Sequence, residues 1–308
     1  MSKQARIKNT TKSNMEISGI LSAEKKEEID KVKKIGNLAL ESAYGIVQEL
    51  GVSGIEEFRQ NQYGDIALRG DIEAEEAVLN ILRQNKLPIK VISEEHGVTV
   101  IGENPLYTGI LDGLDGSGVY KKDRLRGRYG TMFAIYKGTD PTYDDYLYGG
   151  IIEHVSRKLY FASKGEGSWV IENRKQKPLR CSGSTQLDNK SRLYADTNFD
   201  EVYKTDIVST FLMPLKDYDI ECMRSSAVHY ADLSASNVDG VIEVTRKGNL
   251  EIAVAFPLIK EAGGVIVDGN GQSLENKKYN EFGQKDHLIV VSAATSSLAN
   301  DILNKTKN

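Results

Sequence analysis

The run Leu106-Tyr107-Thr108-Gly109-Ile110-Leu111 reads as a buried strand, bounded upstream by Asn104-Pro105, and it leads directly into Asp112-Gly113-Leu114-Asp115-Gly116-Ser117. Two carboxylates therefore stand where a strand ends and a glycine-rich turn begins. At that spacing Asp112, Asp115 and the Leu114 carbonyl can converge as hard oxygen ligands for Mg²⁺. The amides of Gly116 and Ser117 are left free to face a phosphate, as backbone N–H groups do in anion-binding concavities. The competing explanation is an Asp-Gly loop that only turns the chain.

The chain around this stretch is that of an ordinary globular protein. Its 308 residues allow one large domain or two tightly joined ones. The net charge of -4 does not suggest a surface for nucleic acid polymers. Cys181 and Cys222 lie in no zinc spacing and read as reduced thiols, which predicts a cytoplasmic protein. No apolar run approaches the ~20 residues of a membrane helix, so no membrane partner is expected. The polar, basic stretch from Met1 to Asn14 is expected to be frayed.

Ser22 is a candidate cap for a helix running to about Leu50, with Ile29, Val32, Ala39, Ala43, Ile46, Val47 and Leu50 on its apolar face and close packing permitted at Gly36 and Gly45. Asp71 is placed to cap a helix from Ile72 to Asn85. Lys90 to Ser93 is a short strand, followed by Glu94-Glu95-His96-Gly97. That turn is either a solvated acidic loop or a cation site, because adjacent like charges repel unless neutralised. Tyr120 to Arg128 reads as a basic loop that could border an anionic substrate. Strands follow at Thr131 to Tyr136, Tyr146 to Glu153, Lys158 to Ala162 and Ser168 to Ile171, with short turns that argue an antiparallel sheet. From about Thr185 strands and helices alternate: strands at Arg192 to Ala195, Ile220 to Met223, Val238 to Val244, Val265 to Val267 and His287 to Val291, and helices at Val202 to Phe211, up to Ser234, Leu250 to Ala262 and Ser296 to Asn304. Pro257 is expected to kink its helix. The expected division is an N-terminal α+β half, 1–184, and a C-terminal α/β half, 185–308.

Asp112-Gly113-Leu114-Asp115-Gly116-Ser117 resembles the DPxDG[TS] signature of the inositol monophosphatase / fructose-1,6-bisphosphatase superfamily, with Gly for Pro and Ser for the commoner Thr. Further pieces follow in order between Asp65 and Asp268. Asp65 and Asp71 resemble its D-x-V-T-x-x-D element and Glu94-Glu95 its paired acids. Ser225-Ser226-Ala227 is similar to its helix start and Asp239 to Glu243 to D-A-x-x-[ED]. Glu251-Ile252-Ala253 and Glu261-Ala262-Gly263-Gly264 match D-x-A and E-A-G-G. The resemblance implies a layered αβαβα sandwich, of mixed α+β and α/β character, and a lithium-sensitive phosphomonoesterase, commonly a homodimer, acting on a small phosphorylated metabolite.

By the same resemblance, Glu94, Asp112, the Leu114 carbonyl, Asp115 and Glu251 would hold two or three Mg²⁺. Asp71 and Ser117 would orient the attacking water, with Asp65 beside them. Gly116, Ser117, Arg224, Ser225, Ser226 and Glu243 would meet substrate. Three further positions depart from the pattern: Gln60 stands where Lys is common, Leu250 where Trp is, and Glu251 where the metal ligand is Asp. The longer Glu251 carboxylate is expected to favour a cation less strict in geometry than Mg²⁺, such as Mn²⁺. The substrate class stays open among inositol monophosphate, fructose 1,6-bisphosphate, 3′(2′),5′-bisphosphate nucleotides, NADP and histidinol phosphate, and a non-catalytic relative with an altered site is the competing class.

Overall fold

The computed structural model describes the chain from Lys3 to Lys307, with side chains from Ala23 onward. The N-terminal half opens with helix α1 (Lys3–Leu50) and a small hairpin, β1 (Glu57–Gln60) and β2 (Ile66–Leu68). Helix α2 (Arg69–Gln84) leads to β3 (Ile89–Ser93), β4 (Gly97–Ile101) and β5 (Tyr107–Asp115). Short helix α3 (Ser117–Asp123) is followed by β6 (Gly130–Lys137), β7 (Tyr146–Glu153), β8 (Lys158–Ser163), β9 (Gly167–Glu172) and β10 (Lys175–Leu179). These strands form one sheet ordered β10-β9-β8-β7-β6-β5-β3-β4. It is antiparallel except where β3 runs parallel to β5.

The C-terminal part contains β11 (Arg192–Ala195), α4 (Phe199–Tyr203), α5 (Ile207–Leu212), β12 (Asp219–Glu221) and α6 (Ser226–Ser234). It continues with β13 (Gly240–Val244), α7 (Leu250–Glu261), β14 (Val265–Asp268), β15 (Ile289–Ala293) and α8 (Ser296–Thr306). Its sheet is ordered β12-β11-β13-β15-β14, parallel at β12, β11 and β13 and antiparallel beyond.

Alternation along the strands builds five layers. On β5 and β6, Leu111 and Phe133 face α1 and α2, while Ile110 and Met132 join the core shared with α6 and α7. On the smaller sheet Val241, Ile266 and Val290 enter that same core, and Ile242, Val267 and Val291 pack with Leu298 and Ile302 of α8. The order is helix, sheet, helix, sheet, helix, as the family resemblance implied. Pieces of this size bury ample apolar surface on both faces of each sheet, which is the dominant favourable term in folding.

Several local expectations are corrected. Helix α1 does not begin at Ser22: its backbone is helical from Lys3, so the stretch expected to be frayed is helical from Lys3 onward, while Met1 and Ser2 lie outside the described residues. Gly36 is needed where Tyr148 crosses, since a Cβ there would lie 2.3 Å from the ring, but Gly45 faces open space. The expected helix from Val202 to Phe211 is split. Lys204 adopts φ 54°, and the Asp200 carboxylate accepts the Val208 and Ser209 amides (3.1 and 2.7 Å), capping a new helix start. Strands β4 and β10 were not anticipated.

Pro257 sits inside α7, and the helix continues past it to Glu261. A proline cannot donate to the carbonyl four residues back. Here the Tyr136 hydroxyl donates to that carbonyl, on Ala253, at 2.6 Å, and the ring packs over Gly149.

Candidate active site

Strand β5 carries Asp112 and Asp115 inside its last turn of pleat rather than beyond its end. Between them the pairing with β6 slips: Asp112 faces Met132 and Asp115 faces Gly130, leaving Gly113 and Leu114 opposite Thr131 alone. The Thr131 hydroxyl donates to the Gly113 carbonyl (2.6 Å). Its proton being so used, the same oxygen accepts from His154 Nε2 (3.0 Å), a ring buried between Tyr44 and Tyr129. Gly113 is forced by space: a Cβ would lie 2.4 Å from the Asp71 carbonyl of α2. Gly116 is forced by conformation, with φ +84°, and turns the chain into α3 at Ser117.

Each carboxylate is held by a different element. Asp112 Oδ1 accepts the Leu114 amide (3.0 Å). Asp115 Oδ2 accepts the Ser225 hydroxyl (2.5 Å) and the Ala227 amide (2.8 Å) at the start of α6, where unpaired helix donors are expected. Glu251 lies in the first turn of α7. One oxygen from each of Asp112, Asp115 and Glu251 falls within 4.8 Å of the others, and all three residues are buried. Arg246 approaches Glu251 at 3.5 Å and Asp196 at 2.5 Å. Three buried carboxylates converging on one point, with a single guanidinium beside one of them, fit a hard divalent cation, and oxygen-only donors suit Mg²⁺ or Mn²⁺ rather than a softer ion.

Asp71 is both things the sequence left open. Its Oδ2 accepts the Leu68 amide (2.7 Å), so it caps α2, and it also lines the acidic pocket. Glu94 and Asp65 are drawn to Lys247, whose ammonium lies 2.7 Å from Glu94 and 2.6 Å from Asp65. The acidic pocket, about 220 Å³, also includes Leu114, Gly116 and Ser117. It adjoins a wider cleft of about 600 Å³ that shares Asp65, Arg224, Arg246 and Lys247 and is lined further by Ser225, Ser226, Phe199 and Tyr203.

The structure does not bring two groups of expected residues to these cavities. Glu243 is buried with its carboxylate 2.8 Å from His229 Nδ1, and it lines neither cavity. The basic stretch is partly helix α3 and lines neither cavity. Lys121 pairs with Glu57, and Arg128 is clamped between Glu153 (2.8 Å) and Asp232 (2.6 Å). Gln60 donates to Gly64, and His96 leans on Glu75 (2.7 Å). Conversely, Arg246, Lys247, Asn61 and Asp196 were missed. The only signal for the first two was a basic pair two residues upstream of the helix that carries Glu251.

Burial pushes the Glu251 carboxyl up to about 7 and Glu95 up to about 7, and it lifts Asp71 and Asp112 well above the usual carboxylate range. The unfolded chain releases these protons first, near the ordinary carboxylate values of about 4 to 4.5. Between there and about pH 7 the folded, metal-free protein therefore binds more protons, and its stability falls as pH rises. His154 opposes this below its ordinary value, because burial holds it neutral down to about 3; against it stand these four acids together with Asp115, also raised by burial, and His96, raised by its hydrogen bond to Glu75. The melting temperature in chelator is expected to be higher at pH 5.5 than at pH 7.5, with added divalent cation narrowing the gap. A lower value at pH 5.5 would show that the four acids are not desolvated together.

Residues 7–307 match the inositol monophosphatase family. The chain belongs to that family. It is thereby a phosphatase, a phosphoric monoester hydrolase, and the family's general metal dependence agrees with the carboxylate cluster. The chain is 26% identical over 239 residues to a fructose-1,6-bisphosphatase/inositol-1-monophosphatase from Methanothermobacter thermautotrophicus, covering 74% of this chain and 76% of that one. It is 28% identical over 222 residues to a bifunctional NADP phosphatase/NAD kinase from Methanococcus maripaludis, covering 67% of this chain but only 37% of that longer one. The solved inositol monophosphatase from Anabaena (Nostoc) sp. PCC 7120 superposes with a TM-score of 0.70 at 17% identity, over 91% of this chain and 96% of that one, a likeness of fold. No helix among the described residues is long and apolar enough to cross a membrane.

Proposed function

We propose that this chain hydrolyses a small phosphorylated metabolite with Mg²⁺ held by Asp112, Asp115, Glu251 and the Leu114 carbonyl. The observation that carries the reading is the convergence of the three buried carboxylates beside a cleft bordered by Arg224, Arg246 and Lys247. A divalent cation bound there supplies neutralisation of phosphoryl oxygens and a more acidic water. The amides of Gly116 and Ser117 bind the phosphoryl group from the start of α3. Asp71, fixed by the Leu68 amide through one oxygen, offers the other to the attacking water and takes its proton, with the Ser117 hydroxyl orienting it. The new P–O bond forms to that water as the ester P–O bond breaks, and the leaving oxygen, carrying the bond's electron pair, takes a proton from solvent in the wider cleft to become the free alcohol.

Both kinds of relative, fructose-bisphosphatase/inositol monophosphatase and NADP phosphatase, keep two substrate classes in view. The test is phosphate release at fixed Mg²⁺ from inositol monophosphate, fructose 1,6-bisphosphate, a 3′-phosphoadenosine nucleotide, NADP and histidinol phosphate. Turnover of at least one compound is expected. No release from any of them would favour a binding protein with an altered site.

A further inference from the structure

The turn between β13 and α7 is built to deliver one ammonium. Lys247, Gly248 and Asn249 all have left-handed backbones, with φ of 47°, 70° and 56°. Two of the three are not glycine, so each needs support from its surroundings. That support is present: the Gly248 carbonyl accepts from the Tyr279 hydroxyl (2.8 Å) and the Gln284 side chain (3.0 Å), and the Asn249 side-chain amide donates to the Tyr143 hydroxyl (2.5 Å). The locked turn aims Lys247 at Glu94 and Asp65, which come from two separate segments of the N-terminal half. The Lys247 side chain is 23% exposed and that of Glu94 13%, so this bridge is poorly screened by water. Glu94 is not among the acids that converge with Asp112, Asp115 and Glu251.

We propose that Lys247 is a resident cation that occupies the Glu94–Asp65 corner of the pocket in place of a divalent ion. It neutralises both acids, fastens the β1–β2 hairpin against the β3–β4 turn, and confines divalent ions to the Asp112, Asp115 and Glu251 set. The inference rests on reading that set as a divalent-cation site. It also gives Lys247 a positioning role, acting through Glu94 and Asp65.

The test counts ions rather than turnover. Metal-stripped protein is titrated with Mn²⁺, and free Mn²⁺ is followed by electron paramagnetic resonance. Lys247→Met is expected to bind one more Mn²⁺ than the unaltered protein, and Lys247→Met with Glu94→Gln is expected to lose that extra ion. Lys247→Arg, which keeps the charge, is expected to hold the original number. Glu94→Gln alone is expected to leave the count unchanged, a comparison that does not require the lysine variant to fold. Loss of an ion from Glu94→Gln alone, or equal counts for Lys247→Met and the unaltered protein, would overturn the proposal. If the unaltered protein binds no Mn²⁺ while Lys247→Met binds one, Lys247 does hold the Glu94–Asp65 corner against a divalent ion, and only the reading of the three-acid set, with the confinement of ions to it, fails; no binding by either overturns both.

Discussion

Replacing Asp112 by Asn is expected to reduce phosphate release by more than about a hundredfold, since even partners of metal ligands cost ten- to a hundredfold when removed. The fold should survive. Asp112 is buried, and its one backbone contact, from the Leu114 amide, can be kept by the amide oxygen of Asn. In chelator the variant should melt at or above the unaltered protein, because one member of a crowded buried set of acids has become neutral. Activity within tenfold of the original would remove Asp112 from the centre of the site. A clear loss of metal-free stability would mean that Asp112 holds the fold by contacts other than these.

Gly113→Ala carries the second large effect, and here the cause is steric. The added Cβ would stand 2.4 Å from the Asp71 carbonyl and 2.7 Å from Glu75 Cγ. The carbonyl belongs to helix backbone and cannot swing away. Glu75 is also committed: it accepts the Glu95 and His96 amides at 3.0 Å each and so holds the turn that carries Glu94. One methyl therefore pushes on Asp71 and Glu94 together. Overpacking of this kind costs about 1–3 kcal/mol, occasionally more, and we expect a cost at the upper end with a melting temperature several degrees lower. Turnover should fall as well, because Asp71 moves relative to Ser117. An Ala variant with unchanged melting temperature and activity would mean that α2 can shift freely over the bulge.

The acids of the site could be read from sequence because each lies in a short local pattern. Asp112 and Asp115 end an apolar strand, Glu251 opens a helix, and Ser225 precedes another. The layers were legible only through the family resemblance that these patterns carry, because β5 and β6 are buried on both faces and their residues show no apolar-polar alternation. What could not be read depends on distant partners. Arg128 looked like a substrate-facing charge until Glu153 and Asp232, far along the chain, enclosed it. Glu243 keeps its pattern position, but His229 turns it into a buried pair. Lys247 gained its role only when three left-handed residues and the hydroxyls of Tyr279 and Tyr143 fixed its direction. Pro257 is tolerated because Tyr136, on another layer, satisfies the carbonyl it leaves open. Periodicity carries no information about such pairings.

The most direct measurement is the Mg²⁺ dependence of phosphate release by chelator-treated protein, using the best compound from the substrate panel. Metal-stripped protein is predicted to be inactive, to recover with added Mg²⁺ along a saturating curve, and to recover little in the Asp112→Asn variant at any Mg²⁺ concentration. Undiminished release by the metal-stripped protein would contradict the central claim that Asp112, Asp115 and Glu251 act by holding a divalent cation.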